Sequence, residues 1–306
     1  MTSNKQDSGG WAILGLGCIG SLWASRFMNN DIPIELLLSN KARLEALKSR
    51  GLTVYQNTGS TTYRPQQLST RETDRETIKH LLITTKAQQT LLALDAFSHR
   101  INTKTRLIVL QNGMGVAEEI QRKMPLNPLF LGITTEGAYR TDSCTVVHAG
   151  EGETWIGPAQ KNQQFTQFSL LQNINQRCFW ENNIHPRLWQ KFAINCAING
   201  LTVLFECKNG ELLQIKEAYK KMADICGEIE TVLSKKGISL AEPLLKTTTH
   251  IAQRTANNYS SMLQDFRAQR DLELKYLNIY LCEEAQRLHL DTPHNQALLK
   301  EINLLT

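Results

Sequence analysis

The fold is decided by the stretch Trp11-Ala12-Ile13-Leu14-Gly15-Leu16-Gly17-Cys18-Ile19-Gly20. Its four leading apolar residues predict a short buried strand, and residues 21–28 have the spacing of a helix. The Gly-x-Gly-x-x-Gly pattern between them is typical of a turn that binds a dinucleotide. The first glycine permits the tight turn, the second lets the backbone approach a pyrophosphate, and the third lets helix and strand pack closely. The alternative is a glycine-rich turn in a different α/β fold.

The second predicted strand, residues 34–38, indicates which dinucleotide is bound. Its carboxyl end should reach the adenosine ribose, where an NAD site typically has a carboxylate. The sequence there is Ser39-Asn40-Lys41-Ala42-Arg43, which has no carboxylate and two cations. This favours a ribose 2′-phosphate and hence NADP, with Lys41 and Arg43 as the candidate ligands. The alternative is that both are solvated residues of the next helix.

Two further apolar runs predict buried parallel strands, residues 80–86 and 106–113. Ligands of open parallel sheets lie beyond the carboxyl ends of the strands. Lys86 and Asn112, at these two ends, are therefore expected to face the cofactor and the substrate. The alternative for each is a role in the turn itself, since Asn-Gly is a common turn pair.

The remaining strand signals complete an α/β domain. Residues 53–55 and 61–64 predict a hairpin, residues 129–135 continue the sheet, and residues 145–148 and 153–157 are expected as antiparallel additions. A surface helix over 160–176 and a last strand over 178–180 follow. We therefore predict a flexible tail (1–10), a Rossmann-type dinucleotide-binding domain (11–182) with a mostly parallel sheet, and an all-α substrate and catalytic domain (183–306).

A polar stripe is predicted on the first helix of the second domain, residues 189–200. Lys191, Asn195 and Asn199 stand four residues apart and share one face, whereas the remainder of the helix is largely apolar. A lysine can donate a proton, and asparagines can hydrogen-bond hydroxyl groups. The alternative is a solvated stripe, or a lysine paired with a carboxylate elsewhere in the chain.

Residues 261–289 predict one long helix with Glu273 in its middle. Ser261 and Gln264 have the spacing of a capping box, which makes Ser261 the expected helix start. A helix N-terminus can also hold a carboxylate. The alternative is that Ser261 only caps the helix.

Composition excludes several other classes of protein. The length of 306 residues suggests two domains, and the net charge of +5 is spread without a long basic run, which argues against nucleic acid. There are seven cysteines, an odd number, and no Cys-x-x-Cys pair, which argues against a disulfide framework. The sequence also has no Cys/His cluster of the kind that binds a metal. No stretch has the pattern of a signal peptide or a membrane span. We expect a cytoplasmic protein with no metal and no membrane or nucleic-acid partner.

The chain resembles the ketopantoate reductase (2-dehydropantoate 2-reductase) family over nearly all of residues 11–302. The resemblance is carried by motifs in the same order along the chain, and the last three of them are specific to the family. The motifs are the glycine turn, Thr85-Lys86-Ala87, Gln111-Asn112-Gly113-Met114-Gly115, His148 with Ile156-Gly157-Pro158, residues 188–196, Asn209-Gly210-Glu211-Leu212, and residues 260–265.

The resemblance implies residue roles. Lys191 matches the general acid, with Glu273 beside it or beside the nicotinamide ribose. The positions that match cofactor contacts are Lys86, Asn112, Ala138 and Glu273, and those that match substrate contacts are Asn112, Asn195, Asn199, Asn209, Asn258 and Ser261. The family often has an arginine at the end of the second strand, where Lys41 or Arg43 is expected to substitute.

The implied activity is the NADPH-dependent reduction of 2-dehydropantoate to (R)-pantoate in pantothenate and coenzyme A synthesis, by a monomer or homodimer. An alternative within the family is a reductase for another small 2-oxo acid. An alternative outside the enzymes is an NADP-binding regulator, but this would make the Lys-Asn-Asn stripe dispensable.

Overall fold

The computed structural model describes residues 9–73, 75–161 and 163–305. Most of the predicted flexible tail, residues 1–8, lies outside these ranges. The chain divides into two compact units. The first comprises the residues up to Gln111 together with Val116–Ile184, and the second comprises Asn112–Gly115 and His185–Thr306.

The first unit is organised around an eight-stranded sheet. The strand order is β12-β11-β8-β7-β6-β1-β2-β5, and every pairing is parallel except that of β8 with β11. This confirms the predicted α/β class with a mostly parallel sheet. The strands are β1 (Trp11–Leu14), β2 (Glu35–Leu37), β5 (Gln67–Ser69), β6 (His80–Ile83), β7 (Arg106–Leu110), β8 (Leu129–Thr134), β11 (Thr154–Pro158) and β12 (Cys178–Trp180).

Helices connect these strands, as expected for parallel pairing. They are α1 (Cys18–Asn29), α2 (Lys41–Arg50), α3 (Thr90–Ala96), α4 (Val116–Lys123) and α5 (Phe168–Ile174), with short 3₁₀ helices at Ala87–Gln89 and Ser98–Arg100. The predicted surface helix over 160–176 was too long, since only α5 forms among the described residues of this stretch. Phe165, just before α5, is buried and stacks on Phe130 of β8 at a centroid distance of 4.7 Å, which fixes this segment to the sheet.

A second, four-stranded sheet was not predicted. Its order is β4-β3-β10-β9, with β3 at Leu52–Gln56, β4 at Gly59–Tyr63, β9 at Gly137–Arg140 and β10 at Thr145–Gly150. The predicted hairpin is confirmed as β3–β4, and β11 is the predicted antiparallel addition to the main sheet. The strand predicted over residues 145–148 forms as β10 and is antiparallel to β9, but its predicted addition to the main sheet was wrong, because β10 pairs with β3 and β9 in the small sheet. Val54 and Val146 are buried in the same core as Trp23 of α1, and this long-range packing gives no local sequence signal.

The second unit is helical. Its helices are α6 (His185–Leu204), α7 (Lys216–Lys235), α8 (Leu244–Arg254), α9 (Ser261–Arg267), α10 (Asn278–Arg287) and α11 (Pro293–Asn303), with 3₁₀ helices at Asn209–Leu213 and Glu273–Tyr276. One hydrophobic core joins them, and α6 contributes the largest share of its buried residues. Across residues 9–73, 75–161 and 163–305, no helix is long and apolar enough to cross a bilayer.

The single long helix predicted over residues 261–289 was wrong. It is divided into α9, the 3₁₀ helix Glu273–Tyr276 and α10. The break follows α9, where Gln269 has φ +51° and Arg270 turns back onto Asp265. The Arg270 backbone N–H donates to the Asp265 carbonyl at 2.9 Å, and its Nε donates to the Asp265 carboxylate at 2.9 Å. This turn places Glu273 at the start of a 3₁₀ helix instead of inside an α-helix.

Candidate active site

The glycine turn between β1 and α1 requires two of its glycines for the fold itself. Gly15 has φ +98°, and a Cβ there would lie 2.5 Å from the Thr85 backbone nitrogen. A Cβ on Gly20 would lie 2.2 Å from the Gly15 carbonyl oxygen. Both distances are far below van der Waals contact, so any side chain at these positions would force the backbone apart.

Gly17 differs from its two neighbours because the protein itself leaves room there. Its φ of −80° suits any residue, and the nearest atom to a Cβ built there would be the Thr84 carbonyl oxygen at 4.0 Å. Gly17 is the N-cap of α1, and no side chain caps this helix. Cys18 and Ile19 begin α1, while Leu16 is buried. An open backbone approach at the positive end of a helix fits a dinucleotide pyrophosphate.

The two cations after β2 lie in different surroundings. Lys41 is exposed and its ammonium pairs with the Glu72 carboxylate at 2.8 Å. Arg43 is half-buried, and its guanidinium donates to the Leu16 carbonyl of the glycine turn at 2.9 Å. Burial, followed by the positive charge of Arg140, lowers the pKa of Arg43. Arg43 is therefore the cation that the structure brings to the glycine turn.

The end of β6 is held by hydrogen bonds to its neighbours. Lys86 follows this strand and precedes the 3₁₀ helix Ala87–Gln89, and its carbonyl accepts from the Thr90 hydroxyl at 3.0 Å. Gln111, at the end of β7, donates from Nε2 to the Thr85 carbonyl at 2.7 Å. Sequence reasoning did not single out Gln111, although it lies in the Gln-Asn-Gly motif.

Ala138 lies on β9, directly opposite His148 of β10. It is partly buried and packs against the core of the first unit. The structure thus places Ala138 in the small sheet, and not at an end of one of the parallel strands.

Asn112 begins the short segment that groups with the helical unit. Within this segment the Met114 N–H donates to the Tyr276 carbonyl at 2.9 Å. Gly113 has φ +83°, and a Cβ there would lie 2.6 Å from the same carbonyl oxygen. The Asn-Gly pair therefore forms a turn that packs against the 3₁₀ helix that begins at Glu273.

Helix α6 holds the predicted polar stripe. Phe192, Ala193 and Ala197 are among its many buried apolar residues, which confirms that the helix is mostly buried. Burial lowers the pKa of Lys191 to about 8, while the negative charge of Glu273 acts in the opposite direction. Glu273 itself is only 9% exposed. The structure thus brings Lys191 and Glu273 within electrostatic reach, although they are 82 positions apart (273 − 191).

The asparagines of the prediction fall into two groups. Asn195 and Asn199 follow Lys191 at successive turns of α6, with Asn195 half-buried and Asn199 buried. Asn209 starts the 3₁₀ helix Asn209–Leu213, and its backbone N–H donates to the Asn258 carbonyl at 3.0 Å. The structure therefore joins Asn209 and Asn258 through the backbone, while the Asn258 side chain is exposed.

The Asn209 amide has a fixed orientation. Its Nδ2 lies 2.9 Å from the Thr255 hydroxyl oxygen, and that hydroxyl donates its own proton to the Ile251 carbonyl at 2.7 Å. Thr255 can therefore only accept from Asn209, which turns Oδ1 the other way. Among the described residues nothing donates to this buried Oδ1. A buried acceptor without a donor costs free energy, so it is a place where a bound molecule could contribute one.

Ser261 is the first residue of α9, which confirms the predicted helix start, but it is not the cap that its spacing to Gln264 suggested. The cap is Ser260, whose Oγ accepts from the Leu263 N–H at 3.0 Å, and Ser261 is the exposed first residue of the helix. Because the two serines are adjacent, sequence spacing does not show which of them is the cap. Burial decides, since Ser260 is 6% exposed and packs towards α6, where its hydroxyl meets that of Thr202 at 2.6 Å. Neither Ser260 nor Thr202 was identified from the sequence.

Comparison with known families accounts for both units. Residues 11–161 match the model for "Ketopantoate reductase PanE/ApbA", and residues 183–306 match "Ketopantoate reductase PanE/ApbA C terminal". The chain belongs to the ketopantoate reductase family. The resemblance inferred from the sequence motifs is thereby confirmed.

Individual relatives agree with this assignment. The chain is 32% identical to a 2-dehydropantoate 2-reductase of Shigella flexneri over 95% of this chain and 93% of the relative. It is also 32% identical to that of Vibrio cholerae, over 96% of each chain. Two solved structures share its fold. One is D-mandelate dehydrogenase with NADH and anilino(oxo)acetate, with a TM-score of 0.88 and 21% identity over 96% of this chain and 97% of that one. The other is 2-dehydropantoate 2-reductase from Methylococcus capsulatus, with a TM-score of 0.83 and 20% identity over 96% of each chain.

The different surroundings of the glycines generate a prediction about Gly17. Gly17→Val should fold normally, because the protein leaves space there, and should lose NADPH binding, because the side chain occupies the approach to the pyrophosphate. Fluorescence titration with NADPH and a thermal melt measure the two effects separately. Gly20→Ala is the matched contrast, since its Cβ meets the Gly15 carbonyl and should lower the melting temperature. Unchanged NADPH affinity in a folded Gly17→Val variant would remove this turn from the cofactor site.

Proposed function

We propose that this protein reduces 2-dehydropantoate to (R)-pantoate with NADPH, the step that supplies pantoate for pantothenate synthesis, with Lys191 as the general acid. The observation that carries the proposal is a half-buried lysine on α6, whose pKa burial lowers to about 8 and which has Glu273 in electrostatic reach. A general acid works best with a pKa near the working pH. Membership of the ketopantoate reductase family supports the substrate.

In the proposed mechanism the chain binds the cofactor, orients the oxo acid and supplies a proton. Bound NADPH supplies the hydride for the keto carbon. Lys191 stabilises the negative charge that develops on the carbonyl oxygen and donates its proton to that oxygen. Glu273 keeps Lys191 protonated, because its charge opposes the effect of burial on the lysine pKa. Asn195 and Asn199 orient the substrate along the same helix face, and Ser261 is the proposed partner of its carboxylate.

Removal of the acid should reduce turnover without loss of cofactor. Lys191→Ala should lower kcat by roughly two to four orders of magnitude, the usual contribution of a positioned acid. The Kd of NADPH should change little. In the wild type, activity should fall as pH rises through about 8, where Lys191 loses its proton. Because the Glu273 charge raises the pKa of Lys191, Glu273→Gln should move this alkaline limb to lower pH.

The pH dependence of kcat/KM for the wild type and Glu273→Gln measures this effect. If the alkaline limb of Glu273→Gln lies at the same pH as that of the wild type, Glu273 does not affect the pKa of the group that titrates. A Lys191→Ala variant with near-normal kcat would assign the acid to another residue.

The orphan acceptor of Asn209 supports a substrate with a hydroxyl group. 2-Dehydropantoate has a carboxylate, a keto group and a terminal hydroxyl, and that hydroxyl can donate to Oδ1. A site built to hydrogen-bond a substrate hydroxyl rejects the analogue that lacks it, because the buried group is then left unpaired. We infer that Asn209 distinguishes 2-dehydropantoate from 2-oxo acids of the same shape without the hydroxyl.

The test compares 2-dehydropantoate with 3,3-dimethyl-2-oxobutanoate, which differs from it only by loss of the hydroxyl oxygen, within a wider panel of 2-oxo acids. The kcat/KM for 2-dehydropantoate should be higher by about 5- to 150-fold, corresponding to the ~1–3 kcal/mol of a buried unsatisfied group. Asn209→Ala should remove most of this difference, whereas Asn257→Ala, an exposed neighbour, should preserve it. A higher kcat/KM for a different acid would replace 2-dehydropantoate as the substrate and leave the reductase assignment intact.

We further propose that Arg43, and not Lys41, contacts the 2′-phosphate of NADPH. Arg43 reaches the glycine turn through its hydrogen bond to Leu16, and the charge of Arg140 is close enough to affect its pKa. Two cations near one another favour a doubly charged anion between them. Lys41, by contrast, already has the carboxylate of Glu72 as its partner.

The wild type should prefer NADPH over NADH by at least about tenfold, since one charge-assisted hydrogen bond contributes ~1.5–3 kcal/mol. Arg43→Ala should lose kcat/KM with NADPH and retain it with NADH. Lys41→Ala is the control, because it removes the same charge from the same helix and should leave both values nearly unchanged. Equal use of the two cofactors by the wild type would refute the 2′-phosphate assignment. A selective loss in Lys41→Ala instead would transfer the role to that residue.

A further inference from the structure

Helices α6 and α9 are joined by a buried chain of hydroxyl groups. The Thr202 hydroxyl lies 2.8 Å from the Asn199 carbonyl and 2.6 Å from the Ser260 hydroxyl. The Ser260 oxygen in turn accepts from the Leu263 N–H at 3.0 Å. Thr202 is fully buried and Ser260 is 6% exposed, so bulk water does not compete for these groups.

The protons of this chain can be arranged in only one direction. A carbonyl only accepts, so Thr202 must donate its single proton to Asn199. Ser260 must then donate to Thr202, and its oxygen accepts from the Leu263 amide. Each hydroxyl therefore both donates and accepts once, from the first turn of α9 to the carbonyl of Asn199. A fully satisfied buried chain of this kind has one preferred geometry and holds the backbones at its two ends at a fixed separation.

The two ends coincide with two proposed substrate contacts. Asn199 is the final acceptor on α6, and Ser261 directly follows the serine that caps α9. We propose that Thr202 and Ser260 are positioning residues, which hold Asn199 and Ser261 at the spacing that the 2-oxo acid requires. The proposal rests on the function proposed above.

The chain of hydroxyl groups also explains why a threonine, Thr202, occupies a fully buried position of the largely apolar helix α6. Thr202→Val keeps the shape but leaves the Ser260 proton without an acceptor, so Ser260 has to rotate away or remain unsatisfied. Thr202→Ser keeps the hydroxyl and loses only a methyl group. The two variants therefore separate the hydrogen bond from the packing. The matched control is Thr248→Val. Thr248 is equally buried, on α8, and among the described residues its hydroxyl meets only the Cys226 thiol, at 3.8 Å.

The experiment measures KM, kcat and NADPH affinity in the three variants and the wild type. In Thr202→Val we expect KM for the 2-oxo acid to rise about tenfold, because ground-state and transition-state binding are weakened alike. The kcat should stay within about threefold, and the Kd of NADPH should not change. Thr202→Ser should return KM to within about twofold of the wild type. Thr248→Val removes a buried hydroxyl outside the chain of hydroxyl groups and should leave KM unchanged.

Hydrogen exchange of the Leu263 amide tests the chain without any substrate. Its exchange should accelerate in Thr202→Val and not in Thr248→Val. If exchange accelerates in Thr202→Val while KM stays at the wild-type value, the hydroxyl groups are hydrogen-bonded but do not position Asn199 and Ser261 for the substrate, and the proposal is overturned. An equal rise of KM in both valine variants would overturn it too, because general destabilisation would then explain the effect. If the wild type prefers another 2-oxo acid, the same variants are assayed with that acid, so failure of the proposed substrate is recognised separately.

Discussion

The helical unit has to accommodate one ammonium group beside its hydrophobic core. Lys191 is half-buried on a helix that packs many apolar residues into that core, and its burial lowers its pKa to about 8. A charge that is buried without a partner costs several kcal/mol, unless the group gives up its proton and becomes neutral. Glu273 offsets part of this cost. It can do so because α9 ends at Arg267 and the turn that follows brings Glu273 within electrostatic reach of Lys191. The irregular segment between α9 and α10 therefore serves the same requirement as α6.

The first unit depends on a different constraint, which is the close approach of two backbones. A single carbon atom on Gly15 would collide with the Thr85 backbone after β6, and one on Gly20 would collide with the Gly15 carbonyl between β1 and α1. Gly17 contributes nothing to that packing and leaves its side open. The same short motif thus contains two glycines that the fold requires and one, Gly17, where the fold itself would leave room for a side chain.

Local signals of the sequence predicted the elements that local interactions determine. The glycine turn, the parallel strands and the buried helix with Lys191 are examples, since each follows from the spacing of a few neighbouring residues. The errors occur where distant residues decide. Asp265 and Arg270 end a helix whose apolar spacing continues, β10 pairs with β3 because both cover α1, and burial against Thr202 selects Ser260 over Ser261 as the cap. Similarly, Lys41 pairs with Glu72 and Arg43 with the Leu16 carbonyl, and neither partner is near them in sequence.

Satisfied and unsatisfied polar groups are distributed unequally in the helical unit. The Thr202–Ser260 chain and the Thr255 hydroxyl use every proton they have, so they gain nothing from a ligand and can only hold other groups in place. Asn209 Oδ1 and the Lys191 ammonium are the opposite, because one is a buried acceptor to which no described residue donates and the other is a cation with a lowered pKa. Both groups cost the fold free energy, since burial without full compensation destabilises a polar or charged group. The satisfied hydrogen bonds around α6 and α9 help to offset this cost, because they fix the backbones between which these groups lie.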